Sequence, residues 1–262
     1  MAMITEPAFS TTSACSSTDQ PIAIAHIMTE TTYGDTIDWD RFWSEADEAD
    51  RDGAAASAHH AREVLDDFVA VREIPDSFAD VGCGPGLVAF DIAERYPETS
   101  VVGYDGAQSI VEENRERARG DGRENLSFER AVLPEFDPGQ EFDIVFCYAT
   151  LDYVREIERG LRSLYDAVAP GGYLVFNYPN RLARAHRRRV VESPAEYIAD
   201  APGFDPERYA ERFGLTIEGE NLLSYDRIHD VLGTWPQSVW SVVDRPDKRW
   251  AWRHFPLVYV PK

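Results

Sequence analysis

The chain predicts an α/β fold: a doubly wound, mostly parallel seven-stranded sheet with flanking helices, an N-terminal helical cap and C-terminal insertions. Three observations carry that expectation. Short apolar runs alternate with amphipathic stretches from residue 78 onward, the pattern of strands joined by crossover helices. A glycine-rich turn, Gly82-Cys83-Gly84-Pro85-Gly86, directly follows the first run and precedes a helical stretch. An aspartate, Asp105, closes the next run.

The elements follow in order. Residues 1–33 are rich in Ser, Thr and Ala without a sustained period, and read as a disordered or loosely attached arm. Met28 offers an alternative start, which would make residues 1–27 an upstream extension. From Asp38 the spacing of Trp39, Phe42, Trp43 and Ala46 is that of one helical face. A second helix after Gly53 carries Val64, Leu65, Phe68 and Val69 and should end before Pro75. Such helices either cover a ligand cleft or simply pack on the sheet. Strands fit at Phe78–Val81, Ser100–Tyr104, Leu126–Glu129, Phe142–Cys147 and Tyr173–Asn177, with helices at Leu87–Tyr96, Ala107–Arg119 and Arg155–Ala169. After Asn180 the regularity breaks. A basic stretch, Arg181–Val191, is followed by Pro194, Pro202 and Pro206. A helix over Pro206–Phe213, a strand over Leu215–Leu223, an insertion over 224–250 and a final strand over Arg253–Val260 complete the reading. No internal repeat or low-complexity linker divides residues 34–262, so they read as one domain.

Charge bounds the partners. Asp plus Glu number 47 against 26 Lys plus Arg, a formal net charge of −21, and Lys248 and Lys262 are the only lysines. Such a chain repels phosphate backbones in ordinary buffer, which makes nucleic acid a disfavoured partner. It also repels itself, and the Debye length of about 3 Å at 1 M salt would screen that repulsion. Acidic, lysine-poor composition resembles the proteins of salt-in halophilic microbes, whose RNA enzymes are acidic too. No apolar run approaches the roughly 18 residues of a membrane span. The first 27 residues lack a basic-then-apolar secretory pattern, so the expectation is a cytoplasmic chain without a membrane partner. Cys15, Cys83 and Cys147 are too few and scattered for a disulfide framework or zinc site. Cys83 and Cys147 read as small, reduced residues.

The chemistry centres on Asp80 and the turn after it. Glycine at 82, 84 and 86 removes Cβ atoms that would keep a ligand from the backbone. The next helix aims its first amides into the same space. Asp80, at the strand's carboxyl end, is placed to face a ligand cation. Asp105 can accept ribose hydroxyls, and ligands of such sheets bind beyond the strands' carboxyl ends. The spacing is G-x-G-x-G, with Leu87 where a dinucleotide fingerprint puts its last glycine, which argues against NAD.

Asp80 with the glycine loop resembles the first motif of class I S-adenosylmethionine (SAM)-dependent methyltransferases, D/E-x-G-x-G-x-G, and Asp105 matches their acidic second motif. Phe142-Asp143-Ile144-Val145-Phe146-Cys147 resembles their fourth-strand motif, and Leu161–Pro170 with Gly171-Gly172 resembles the helix and P-G-G turn before their fifth strand. The resemblance covers about residues 75–180. It implies methyl transfer by in-line displacement, with helices over 34–74, a cofactor core over 75–180 and a substrate side over 181–262. It further implies that Asp80, Gly82, Cys83, Gly84 and Gly86 surround the methionine part of SAM and that Asp105 holds the ribose. Gly106, Ala131 and Val132 would border the adenine, and Cys147 and Tyr148 would lie beneath the sulfonium. The family's usual acid after its third strand falls on Val132, or on Glu129 in a shifted alignment.

Past the fourth strand, Tyr148, Asp152 and Tyr153 are acceptor-side candidates, although Asp152 reads more readily as an N-cap for the helix near 155. His229 and His254 are further candidate bases. The Arg181–Arg189 run would suit an anionic substrate or RNA, or merely counter-charge an acidic surface. The aromatics Trp235, Trp240, Trp250, Trp252 and Phe255 would wall an acceptor pocket or fill a core. No metal is required, and the oligomeric state stays open. A small-molecule acceptor is the leading expectation. RNA methylation, a non-catalytic SAM-binding protein and a nucleotide-linked oxidoreductase are the alternatives.

Overall fold

The computed structural model describes residues 36–197, 204–246 and 256–262. The expected N-terminal arm, His254, Trp250, Trp252 and Phe255 lie outside them. Two helices open the described chain. Helix α1 (Trp39–Glu45) is capped by Asp38, whose side chain accepts from the Arg41 amide, and α2 (Glu48–Ala70) by Asp47 through the Asp50 amide. The latter runs unbroken through Gly53, so it begins earlier than the sequence suggested.

Strands β1 (Ser77–Val81), β2 (Ser100–Asp105), β3 (Leu126–Arg130), β4 (Phe142–Cys147) and β5 (Val168–Asn177) alternate with α3 (Leu87–Arg95), α4 (Gln108–Gly120) and α5 (Ile157–Asp166). A short 3-10 turn, Leu151–Tyr153, follows β4. Beyond β5 come α6 (Arg181–Glu192), α7 (Pro194–Tyr197), α8 (Pro206–Arg212), α9 (Gly214–Glu218) and α10 (Tyr225–Leu232), then β6 (Gln237–Ser238) and β7 (Leu257–Pro261). The sheet has seven strands in the order β3-β2-β1-β4-β5-β7-β6, parallel from β3 through β5 and antiparallel at β7 and β6.

Both faces of the sheet are covered, as parallel strands require. Alternation along β4 shows why the strands read as continuous apolar runs: Ile144 and Phe146 join Leu65, Phe68 and Ile92 on one face, while Val145 and Cys147 join Leu161, Leu164 and Phe176 on the other. The chain order reverses at β1, with β2 and β3 on one side and β4 and β5 on the other, which opens a crevice beyond the carboxyl ends of β1 and β4.

One expected strand is helical instead. Leu215–Leu223 does not form a strand; Gly214–Glu218 is α9, ended by Gly219 in the left-handed conformation (φ 86°). Leu215 and Thr216 are buried there, so the apolar run serves helix packing against α6 rather than a sheet. The sixth strand is instead the two-residue β6, too short to announce itself by alternation.

Candidate active site

The crevice is a cleft of about 1130 Å³ counted to its open mouth. Its floor is the β1 end and the turn after it: Asp80, Val81, Gly82, Cys83 and Gly84. One side is built by Asp105, Gly106, Ala131, Val132 and Leu133, the other by Phe146, Tyr148, Ala149, Thr150, Tyr153 and Val154. Trp39 and Trp43 of α1, with Ala54 and Ala55 of α2, close it from above. Of the two roles open to the N-terminal helices, covering the cleft is therefore the one α1 performs.

The three loop glycines do different work. All have positive φ (77°, 49° and 71° for Gly82, Gly84 and Gly86), which a side chain resists. A Cβ on Gly82 would lie 2.0 Å from Thr150 Oγ1, and one on Gly86 3.0 Å from the Phe128 ring. Those two glycines admit neighbouring side chains of the protein, and Gly86 is absent from the cleft wall. Only Gly84 keeps space open on the cleft side, where a Cβ would meet the Trp43 ring at 3.2 Å. Asn114, buried on α4, holds this turn by donating to the Gly84 carbonyl at 2.7 Å.

Asp105 is engaged from the protein side. It accepts from the Gly84 amide at 2.8 Å and the Ala107 amide at 2.9 Å, and the Gly106 amide also favours its charge. Burial nevertheless pushes its carboxyl above the usual range. Asp80 accepts from the Ala89 amide in the first turn of α3, while burial, with a smaller push from Asp105, lifts it to about 7. Burial also raises the Cys83 thiol well above its ordinary value, which suits an inert, reduced residue.

Beyond β4 the chain turns sharply. Ala149 takes φ 55°, and its amide donates to the buried Asn177 side chain at 2.7 Å. That strained turn sends Tyr148 and Thr150 to the cleft. Tyr148 stacks on Phe146 at 5.9 Å, and burial, then the Asp152 charge, pushes its phenol up to about 12. Tyr153 packs edge-on against Trp39 at 4.7 Å and accepts from Arg212 Nε at 3.0 Å. Burial raises its phenol too, so both tyrosines stay protonated at neutral pH.

Several expected residues stand elsewhere. Cys147 is fully buried on the far face of the sheet, because β4 alternation assigns the cleft side to Phe146. Asp152 neither lines the cleft nor caps a helix. Its Oδ1 accepts from Arg187 Nη2 at 2.6 Å and from Thr216 Oγ1 at 3.2 Å, and Asn221 Nδ2 donates to its carbonyl at 2.7 Å. His229 stacks on Trp235 at 4.1 Å, away from the cleft wall. Trp240 packs against the core and Trp235 is exposed, so neither forms part of the wall. The basic run splits: Arg187 is buried on Asp152 and Arg184 Nε donates to the Ile217 carbonyl, leaving Arg181, Arg188 and Arg189 exposed. Val132, not the exposed Glu129, faces the cleft.

Sequence reasoning left the cleft-covering role of Trp39 and Trp43 open and missed Thr150 and Arg212 as lining residues and Asn114 as the support of the glycine turn. The helical stripe Trp39/Phe42/Trp43 was a visible signal; the others are set by tertiary packing alone.

A family model described as a methyltransferase domain matches residues 79–174. The trans-aconitate 2-methyltransferase of Streptomyces avermitilis is 35% identical over 140 residues, covering 51% of this chain and 51% of that protein. That of Sinorhizobium fredii is 34% identical over 168 residues, covering 60% of this chain and 63% of the relative. The chain thus spans about half the length of the first curated relatives it matches. Among solved structures, the plantazolicin methyltransferase BpumL, in complex with a monoazolic desmethylPZN analog and SAH, superposes with a TM-score of 0.57 at 12% identity, over 86% of this chain and 93% of that one. The fold is accordingly the α/β Rossmann-like fold of methyltransferases.

Proposed function

We propose that the chain is a SAM-dependent methyltransferase acting on a small-molecule acceptor. The observation that carries this reading is one cleft, at the strand-order reversal, that joins a glycine-turn floor and two acids to an apolar slot. The domain match over residues 79–174 supports it.

The residues present fit the cofactor. Gly84 leaves room that a Cβ would fill against Trp43. Ala131, Val132 and Leu133 offer an apolar wall for a base, and Asp105 stands at the β2 end where a ribose needs an acceptor. Asp80, Gly82, Cys83 and Gly84 would hold the amino-acid portion, Asp105 the ribose, Gly106, Ala131 and Val132 the adenine, with Tyr148 beside the reacting centre. SAM supplies a sulfonium-bound methyl group open to in-line attack by an acceptor lone pair. The protein's part is to orient and to exclude water. Trp39 and Trp43 cover the opening, and Tyr148 and Tyr153, held protonated, present hydroxyls rather than bases.

None of the described residues lining the cleft is a histidine or lysine, and its two carboxylates, Asp80 and Asp105, are already engaged by backbone amides. That favours an acceptor whose nucleophilic atom already carries a free lone pair at working pH. We also read the net charge of −21 as an adaptation to molar salt in a cytoplasm, and no helix among the described residues is long and apolar enough to cross a membrane.

The test is calorimetric titration in molar KCl with SAM, its demethylated product S-adenosylhomocysteine (SAH), and NAD. Binding of the first two and not NAD supports the reading. Binding of NAD alone overturns it.

A further inference from the structure

Arg212 is the one cation among the described residues that line the cleft. It ends α8, and its Nε donates to Tyr153 Oη at 3.0 Å. Four rings surround its guanidinium, with Trp39 and Phe213 centroids at 5.2 Å, Tyr153 at 5.8 Å and Phe42 at 5.9 Å. Those rings hold the group in one place and remove part of its water. No carboxylate of a described residue pairs with it.

Several described arginines pair with no described carboxylate, among them Arg72, Arg115 and Arg184, but none of these lines the cleft, as Arg212 does. Arg187 also sits over Phe213, 3.5 Å from the ring centroid, and it is neutralised by Asp152 at 2.6 Å. Arg51, Arg95, Arg123, Arg159 and Arg245 each find a carboxylate as well. Arg212, beside a second arginine and partly desolvated by aromatics, has a planar fork of Nη donors and no anion among the described residues to meet them. A guanidinium so placed matches a planar carboxylate bidentately.

We propose that Arg212 is the acceptor-anchoring residue of this cleft and that the acceptor is a small-molecule carboxylic acid bound as its anion. Tyr153 and Trp39 fix the fork, and the apolar wall of Tyr148, Val154 and Trp39 receives the acid's carbon skeleton. The same chemistry exists on the cofactor, whose amino-acid end also carries a carboxylate. The placement favours the acceptor: Arg212 sits on Tyr153, past β4, whereas the expected seat of the cofactor's amino-acid end is the turn after β1.

The inference rests on the methyltransferase reading, and one titration series separates the two. Wild type, Arg212→Gln and Arg212→Lys are each titrated with SAH and with 5′-methylthioadenosine, which lacks the carboxylate. Each SAH-loaded protein is then titrated with succinate, propane-1,2,3-tricarboxylate and phenylacetate, with dimethyl succinate as the neutral control. The expected result is that SAH binds all three proteins within twofold. At least one acid binds loaded wild type while the diester does not. That acid binds at least tenfold more weakly to Arg212→Gln and at least threefold more weakly to Arg212→Lys, which keeps the charge and loses the fork. Should Arg212→Gln fail to melt cooperatively, the lysine variant carries the comparison. Absence of binding by every acid to SAH-loaded wild type overturns the proposal, as does an unchanged acid affinity in the variants. A loss confined to SAH, with 5′-methylthioadenosine unaffected, overturns it by assigning Arg212 to the cofactor. Failure of SAH to bind wild type overturns the methyltransferase reading itself, and the inference with it.

Discussion

Replacing Asp105 with asparagine tests the ribose assignment at a single atom. A carboxylate offers about four acceptor sites. The amides of Gly84 and Ala107, at 2.8 and 2.9 Å, and that of Gly106 are already directed at it. One site is left for a ligand hydroxyl, fewer than the pair that sequence reasoning assigned. Asparagine keeps one oxygen and turns an amino group toward whichever backbone N–H the other oxygen served, so donor faces donor. The variant therefore loses the charge that a ligand hydroxyl would donate to, at about 1.5–3 kcal/mol for a bond to a charged group. At about 1.4 kcal/mol per factor of ten, that is roughly 10- to 150-fold in Kd. Calorimetry with SAH and 5′-methylthioadenosine is the assay, because both carry the ribose and both should weaken by the same factor. A cooperatively folded variant with unchanged affinity for both would refute the reasoning. So would a loss limited to SAH, which would move Asp105 to the amino-acid end.

Four further outcomes follow from the same geometry. Gly82→Ala should destabilise the fold, since its Cβ would meet Thr150, whereas Gly84→Ala should mainly weaken SAH binding; urea midpoints and titrations on both variants separate the effects. Arg187→Met leaves Asp152 buried without its cation and should cost about 3–5 kcal/mol, while Arg187→Met with Asp152→Leu should recover most of it, both read from chemical denaturation. Burial lifts Asp80 from 3.8 to about 7, so between those values the folded chain holds a proton that the unfolded chain has released. Its contribution therefore makes stability fall as pH rises from about 4 to about 7, and Asp80→Asn should flatten that fall in urea midpoints taken at pH 4.5 and 7.5. Raising KCl from 0.1 to 2 M should increase the melting temperature, because screening relieves the repulsion behind a net charge of −21; a flat or falling Tm would discard the halophilic reading.

The parallel core was legible because its signals are local. Strands β1 to β5 each carry an apolar run, and the glycine turn joins β1 to α3 in five consecutive residues, 82 to 86. What the turn's glycines are for was not legible. Whether a missing Cβ admits Thr150, Phe128 or a ligand depends on which chain segments arrive opposite, 68 residues away in the case of Thr150. Cys147 shows the complementary limit: strand alternation alone assigns it and Phe146 to opposite faces, but only the sheet order says which face holds the cleft. Leu215–Leu223 failed for a third reason. A short apolar run fits a strand or a buried helical turn equally, and Gly219 in the left-handed region chose the helix.

The part of the cleft proposed for the acceptor was least legible because no short motif encodes it. Arg212 comes from α8, Tyr153 from the turn after β4, and Trp39 from the first helix, so the group assembles from three distant segments. Its position is set by two tertiary latches. Asp40 of α1 accepts from the Ser109 amide at 2.9 Å, in the first turn of α4, which has no side-chain cap of its own, and so seats the covering helix over the β2 end. The Asp152–Arg187 pair, with Thr216 and Asn221, fastens α6 and α9 to the turn after β4. Trp39 lies where the two latched pieces meet, 6.2 Å from Trp43 above Gly84 and 4.7 Å from Tyr153 beside Arg212. A ligand that orders Trp43 over the glycine turn thereby restrains Trp39 and, through it, the aromatic frame around Arg212. On the proposed assignment, the contacts that close the cofactor half of the cleft also shape the half meant for the acceptor, so SAH bound first should tighten acceptor binding, through one indole ring.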